Sequence, residues 1–280
     1  MRFLLISTNP QNICVLFCVT KRKLLAYVME NVYESDRAVA EYLLFHYGNL
    51  KDLLPLGIGH RQDIGFPQKC VDLLIENYSP SLDSSALDLG CAVGRSSFEL
   101  ARFCKRVVGL DFSSKFITAA NKLKIAGSLE FARRLEGDLS ETVCAEVPQG
   151  IDKNRIEFIE GYACHLPVDL GRFDMVLLAN LIDRLPDPKL CLEKIADFLI
   201  PEGVMVITSP YTWMEEFTPK RNWLGGYKVG DNSIRTLDTL KNLFEKDFIF
   251  LKSQDIPFLI YEHERKFQWS ISQATVWQRK

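Results

Sequence analysis

Apolar positions change period repeatedly along the chain, and the changes mark out strands and helices. Ala86, Leu87 and Leu89 form a short apolar run that breaks at Gly90 into small residues, Gly90-Cys91-Ala92-Val93-Gly94. A helical stripe follows (Phe98, Ala101, Phe103), then a second run, Val107-Val108-Gly109-Leu110, ending on Asp111. Ser113 to Ala126 reads as a helix stopped by Gly127, and Leu129 to Val147 as an inserted hairpin turning at Glu136-Gly137-Asp138. Ile156 to Ile159 is a third strand. Phe173 to Asn180 is a near-continuous apolar run, as expected for a strand covered on both faces. Pro186 to Leu199 reads as a helix, Pro201-Glu202-Gly203 as a turn, and Val204 to Thr208 as the fifth strand. After a long excursion, 209–231, come a helix (Thr236 to Phe244) and two strands with no helix between them, Phe248 to Leu251 and Ala274 to Trp277. Upstream, Ala38 to Gly48 and Gln68 to Asn77 are helical, separated by a loop rich in Gly and Pro. Seven strands alternating with helices predict an α/β, doubly wound, Rossmann-like sheet.

The first strand–turn–helix–strand unit carries the chemistry. Its turn must hug a ligand, and the helix behind it offers free N–H groups and a positive dipole end. The G-x-G-x-x-G spacing of a dinucleotide site is absent. Asp88 instead precedes small residues at alternate positions, Gly90, Ala92 and Gly94. This D-x-G-x-G-x-G-like pattern resembles motif I of the class I S-adenosylmethionine-dependent methyltransferases, with Ala92 in place of the middle glycine. The resemblance implies that family's sheet, with an antiparallel last strand, and S-adenosylmethionine as cofactor. It also places Asp111 where the family holds both ribose hydroxyls, a task suited to a carboxylate with two acceptor oxygens. Gly90, Cys91, Ala92, Gly94 and the adjoining Phe112 complete this side of the implied cofactor site.

Composition narrows the partners. Among 280 residues the formal net charge is −2 and no long basic run occurs, which argues against nucleic acid or an anionic membrane surface. Eight cysteines are scattered without a C-x-x-C pair or metal spacing, as free thiols in a reducing cytoplasm would be. Residues 1–28 match the remainder poorly. Their apolar run, Ile13 to Val19, is too short to span a bilayer. They read as a poorly ordered extension, or as translation from upstream of a start at Met29. Residues 29–280 then form one domain: a helical cap over 29–84, and a core over 85–280 that includes a substrate loop at 209–231.

Several blocks outside motif I resemble one group more closely. They are YESDR (33–37) with FHYG (45–48), ANLIDRL (179–185), TSPYTWMEEFTPKRNWLGGY (208–227) and RKFQWSISQATVWQR (265–279). Together they are similar to the C-terminal methyltransferase domain of ovothiol synthases. That resemblance implies methylation of an imidazole ring nitrogen of 4-mercaptohistidine. Because the sulfur-inserting region that precedes the domain in fused enzymes has no counterpart in this sequence, the resemblance implies either methylation alone or action beside a separate iron-dependent sulfoxide synthase. One departure concerns adenine. The family commonly has Gly-Asp-Ala after the third strand; here the tripeptide is Gly161-Tyr162-Ala163. Tyr162 would accept a hydrogen bond from adenine or stack on it, beside Ala163.

Acceptor-binding candidates come from loops at the carboxyl ends of strands, where open α/β sheets bind ligands. Asn180, Asp183 and Arg184 follow the fourth strand; Tyr211, Trp213, Glu215 and Glu216 follow the fifth. Tyr211 and Trp213 would sandwich an imidazole, Asp183 or Glu216 would pair with an ammonium or ring N–H, and Arg184 would clamp a carboxylate. Asn180 also belongs with the cofactor set. Competing readings are a surface ion pair for Asp183–Arg184 and core packing for Trp213. His46-Tyr47 either caps the cofactor or is packed. Two other functions remain open: a methyltransferase for another small molecule, and an inactive cofactor-binding subunit partnering a sulfoxide synthase.

Overall fold

The computed structural model describes residues 32–280 together with Cys14–Val15 and Val28–Met29, which pair antiparallel. The expectation for residues 1–28 otherwise lies outside the described residues. The main sheet has seven strands: β1 (Ser85–Leu89), β2 (Arg106–Asp111), β3 (Ile156–Glu160), β4 (Phe173–Ala179), β5 (Leu199–Ser209), β6 (Phe248–His263) and β7 (Lys266–Arg279). Their order is β6-β7-β5-β4-β1-β2-β3. β1 to β5 run parallel, and β7 enters antiparallel between β5 and β6. The order reverses beside β1, and ligands of open sheets sit at such a switch point.

Among the described residues, six helices of at least six residues pack on the two faces: α1 (Asp36–Tyr47), α2 (Phe66–Asn77), α3 (Arg95–Leu100), α4 (Ser114–Ala126), α5 (Pro188–Lys194) and α6 (Thr236–Phe244). Their limits follow local chemistry. Ser35 accepts from Ala38 N–H at the start of α1, Ser113 from Phe116 N–H at the start of α4, and Gly127 closes α4 at φ 83°. One face of the sheet buries Leu43, Phe66, Leu74, Phe98 and Phe116 against Ala86, Met175 and Val206, so α1 and α2 share a core with the sheet. The other face buries Leu192, Ile195, Leu240 and Phe244 against Leu87, Val176 and Trp277.

The structure differs from the periodicity in four places. The last two strands are far longer than the two short runs read from sequence, pairing from Phe248↔Arg279 out to His263↔Lys266. Only 273–278 of β7 also pairs with β5, so the outer half of the ribbon has no third strand to enforce apolar alternation. It packs instead on other elements: Phe258 against Phe66, and Trp269 Nε1 on Asp63 Oδ2 at 2.6 Å. Pro201-Glu202-Gly203 lies inside β5, where a register shift opposite Phe173/Met175 absorbs it and Glu202 takes φ 65°. α3 stops at Leu100, before Phe103. The expected helix 186–199 is α5 followed by a 3-10 turn, Ile195–Phe198. The inserted hairpin is present as Ser128–Glu136 paired with Leu139–Glu146.

Candidate active site

The turn after β1 is built from left-handed residues: Gly90 at φ 74°, Ala92 at 48° and Gly94 at 86°. A Cβ on Gly94 would stand 2.6 Å from the Phe158 ring, which requires glycine there. The turn hangs on β2 through Gly90 N–H and Cys91 N–H, both donating to Leu110 O. Asp111 then closes it. Its Oδ2 accepts from Ala92 N–H and its Oδ1 from Ser113 N–H, each at 2.9 Å. Each oxygen keeps a further lone pair, so the carboxylate suits the two vicinal hydroxyls of a ribose. Burial raises the Asp111 carboxyl to about 6, against the two backbone N–H donors.

Asp88 lies beneath the turn rather than on its ligand face. It is 1% exposed and accepts from Ser97 Oγ at 2.6 Å, tying β1 to α3. Burial raises its carboxyl to about 7. Cys91 is likewise buried. Tyr47 is a strut: its hydroxyl donates to Val93 O at 2.8 Å, and the Arg95 guanidinium stands 5.5 Å from its ring centre. His46 beside it is packed, its imidazole lowered to about 3 by burial and by Arg95.

Past Asp111, the Phe112 and Tyr162 rings stack with centroids 6.3 Å apart and planes 29° apart. Tyr33 meets Phe112 edge-on at 5.9 Å. Ala163 is buried below them. The phenol at 162 thus forms one aromatic surface with Phe112.

At the other end, β4 and β5 deliver the remaining candidates. Asn180 follows β4 at φ 53°, and its Oδ1 accepts from Thr208 Oγ1 (3.0 Å) and Ser272 Oγ (2.6 Å). Tyr211 follows β5 at φ 54°, with its hydroxyl donating to Gln273 Oε1 at 3.0 Å. Asp183 is fully buried. Its Oδ2 accepts from Arg184 Nη1 (2.9 Å) and Thr212 N–H (3.0 Å), while Oδ1 has no hydrogen-bond partner among the described residues. Burial raises this carboxyl too. Arg184 also donates to Thr212 O, and it stands over the Phe217 ring at 4.9 Å, with Tyr33 against the same ring. Asp183 thus acts on its surroundings through Arg184 and the Thr212 backbone.

Two candidates lie elsewhere. Trp213 packs on Trp223 (6.4 Å) and spends its indole N–H on Thr236 Oγ1 (3.1 Å), which is core packing. Glu216 is exposed. Residues that the sequence reading did not single out include Tyr42, Thr208, Phe217 and Ser272. Ser272 and Thr208 are invisible without the β5–β7 register. Tyr42 had a signal in its place on the same helix as the FHYG block.

Comparisons with known proteins agree with this geometry. Residues 87–205 match a family model described as a methyltransferase domain. A demethylmenaquinone methyltransferase of Lactococcus lactis is 32% identical over 125 residues, 44% of this chain. The chain spans about two fifths of that relative's length, 40%. Among solved structures, the cyclase SpnF aligns with a TM-score of 0.52 at 14% identity, covering 89% of this chain and 93% of SpnF. The YcgJ protein of Bacillus subtilis aligns at 0.51 and 11% identity, covering 76% and 98%. At such identities the structures speak for the fold. No helix among the described residues is long and apolar enough to cross a membrane. Residues 87–205 thus match a methyltransferase domain, and the chain shares the fold of the SpnF and YcgJ structures.

Proposed function

We propose that this chain methylates a ring nitrogen of a 4-mercaptohistidine-like small molecule, completing an ovothiol in the cytoplasm beside a separate iron-dependent sulfoxide synthase. The cofactor half rests on the Asp111 carboxylate, latched to both the left-handed turn and the start of α4. The acceptor half rests on the sequence blocks at 179–185, 208–227 and 265–279, which meet at the carboxyl ends of β4 and β5.

S-adenosylmethionine supplies a methyl group already activated on a sulfonium, so the protein's share is alignment and field. Asp111 would hold the ribose and the Phe112–Tyr162 surface would take the adenine ring, while Gly90 keeps the turn tight, with Leu181 2.9 Å from where a Cβ would stand. Arg184, oriented by Asp183, meets a substrate carboxylate. Asn180 and Tyr211 flank the acceptor ring, whose attacking nitrogen must be unprotonated. These two residues would hold the ring with its nitrogen lone pair toward the activated methyl group, and the displaced ring proton would be released to solvent. Residues 29–84 act as a cap, and 209–231 contributes Tyr211 to the acceptor side. Trp213 and Glu216 take no part in this version, and Tyr47 supports the turn.

Calorimetry against S-adenosylmethionine and NAD tests the cofactor; only the former should bind. Incubation with 4-mercaptohistidine and methyl-labelled cofactor should give N-methylated product. Turnover on other small acceptors but not on this one would overturn the substrate. Binding without turnover on a broad panel would replace the enzyme with an inactive subunit.

A further inference from the structure

The two non-glycine residues that follow β4 and β5, Asn180 and Tyr211, both have left-handed backbones, φ 53° and 54°. Such conformations cost energy for residues with a Cβ and persist only where surrounding groups hold them. Both are held by consecutive residues of β7. Ser272 Oγ donates to Asn180 Oδ1 at 2.6 Å, and Gln273 Oε1 accepts from Tyr211 Oη at 3.0 Å. β5 completes each anchor: Thr208 Oγ1 donates to Asn180 Oδ1 at 3.0 Å and accepts from Asn180 N–H at 3.0 Å, and Ser209 Oγ accepts from Tyr211 N–H at 2.9 Å. Ser272, Thr208 and Ser209 are all fully buried. The register explains the arrangement, because Gln273 lies directly opposite Ser209 across the β7–β5 pair.

We propose that Ser272 and Gln273 are positioning residues that aim Asn180 and Tyr211 at the methyl acceptor and so select its chemistry. With two hydroxyl donors filling Asn180 Oδ1, the amide –NH2 points away from them and offers donors. With its proton spent on Gln273, the Tyr211 oxygen is an acceptor. One donor and one acceptor at adjacent strand ends match a planar azole that carries an anionic or lone-pair atom on one side and an N–H on the other. The proposal rests on the methyl-transfer reading above and deepens it by naming the groups that define the acceptor class.

The test is a pair of double-mutant cycles on the full chain: Ser272→Ala with Asn180→Ala, and Gln273→Leu with Tyr211→Phe. Acceptor kcat and KM, S-adenosylhomocysteine affinity and the thermal midpoint are read for every protein. Ser272→Ala should lower kcat on the order of tenfold by mis-aiming Asn180, and should add nothing once Asn180 is alanine. Gln273→Leu should raise acceptor KM only while Tyr211 keeps its hydroxyl. Additive losses in both cycles, or losses that track the thermal midpoint alone, would overturn the proposal. Should Ser272→Ala fold poorly, Ser272→Cys keeps the volume with a weaker donor, and it must show the same dependence on Asn180. A wild-type chain that binds S-adenosylhomocysteine but methylates nothing would remove the methyl-transfer reading by itself. The positioning role is then decided on the same proteins by coupling in S-adenosylhomocysteine affinity, where additivity or no effect of Asn180→Ala refutes it.

Discussion

The backbone N–H of Ala92 donates to Asp111 Oδ2 at 2.9 Å, joining the turn after β1 to the end of β2, nineteen residues on. One carboxylate therefore shapes the turn and ties it to the start of α4. Asp111→Asn should weaken S-adenosylhomocysteine binding about 10- to 100-fold by calorimetry at pH 8, the scale of one charge-assisted hydrogen bond. An amide there also turns a donor toward a donor.

The same carboxyl predicts a pH dependence. Burial raises it to about 6, so below that pH it is neutral and has fewer lone pairs to offer. Cofactor affinity should therefore fall as pH drops through about 6, and the Asp111→Asn protein should lack this step. A wild-type affinity flat from pH 5 to 8 would contradict the ribose role.

Ala92 occupies φ 48°, where an L-residue is strained by about 1–2 kcal/mol. Ala92→Gly relieves that strain but adds unfolded-chain entropy, so a net gain of about 0.5–1 kcal/mol is expected in urea denaturation. Ala92→Val should lose about 1–3 kcal/mol, because the site is buried and a β-branched side chain fits the left-handed region worst.

Asp88 sets a separate pH effect on stability. Its carboxyl is raised to about 7 in the fold from an ordinary value of 3.8, mainly by burial, so folding favours the protonated form. The resulting stabilisation is complete below about pH 4 and is lost as pH rises through about 7. The thermal midpoint should decline across that window, and Asp88→Asn should flatten this part of the profile.

Asp183 joins the end of β4 to the loop after β5 through Arg184 and Thr212. Asp183→Ala leaves a guanidinium and a backbone N–H without their partner and should cost about 2–4 kcal/mol. Protease should then cut within 209–218 sooner than in wild type. Asp183→Asn keeps an acceptor and should cost less.

The turn, its helix and Asp111 were legible from sequence because they are local. A left-handed turn needs small residues, and a helix start and a strand end leave their marks within thirty positions. β1 to β5 were legible for a related reason: a strand covered on both faces must be apolar almost throughout. The β6–β7 ribbon was not. Its outer half gains its burial from α1, Phe66, the 61–63 turn and the inserted hairpin, where Phe131 and Arg134 meet Tyr261, rather than from partners within the main sheet, so its polar residues obey no simple alternation. Trp213 and Glu216 show the same limit on the acceptor side. Aromatic and acidic residues crowd that loop, but their directions depend on Trp223, Thr236 and solvent.

By itself, the sequence determined the fold class, the turn that favours an adenosine-type ligand, and the acid that follows it. Each of these is encoded in contiguous residues whose backbone or burial demands admit few side chains. Tertiary structure alone decided that Asp88 and Asp183 support the site from beneath, that Trp213 packs away from it, and that Ser272 and Gln273 reach Asn180 and Tyr211. The last two contacts join positions 92 and 62 residues apart through strand register, a long-range property that no local pattern records.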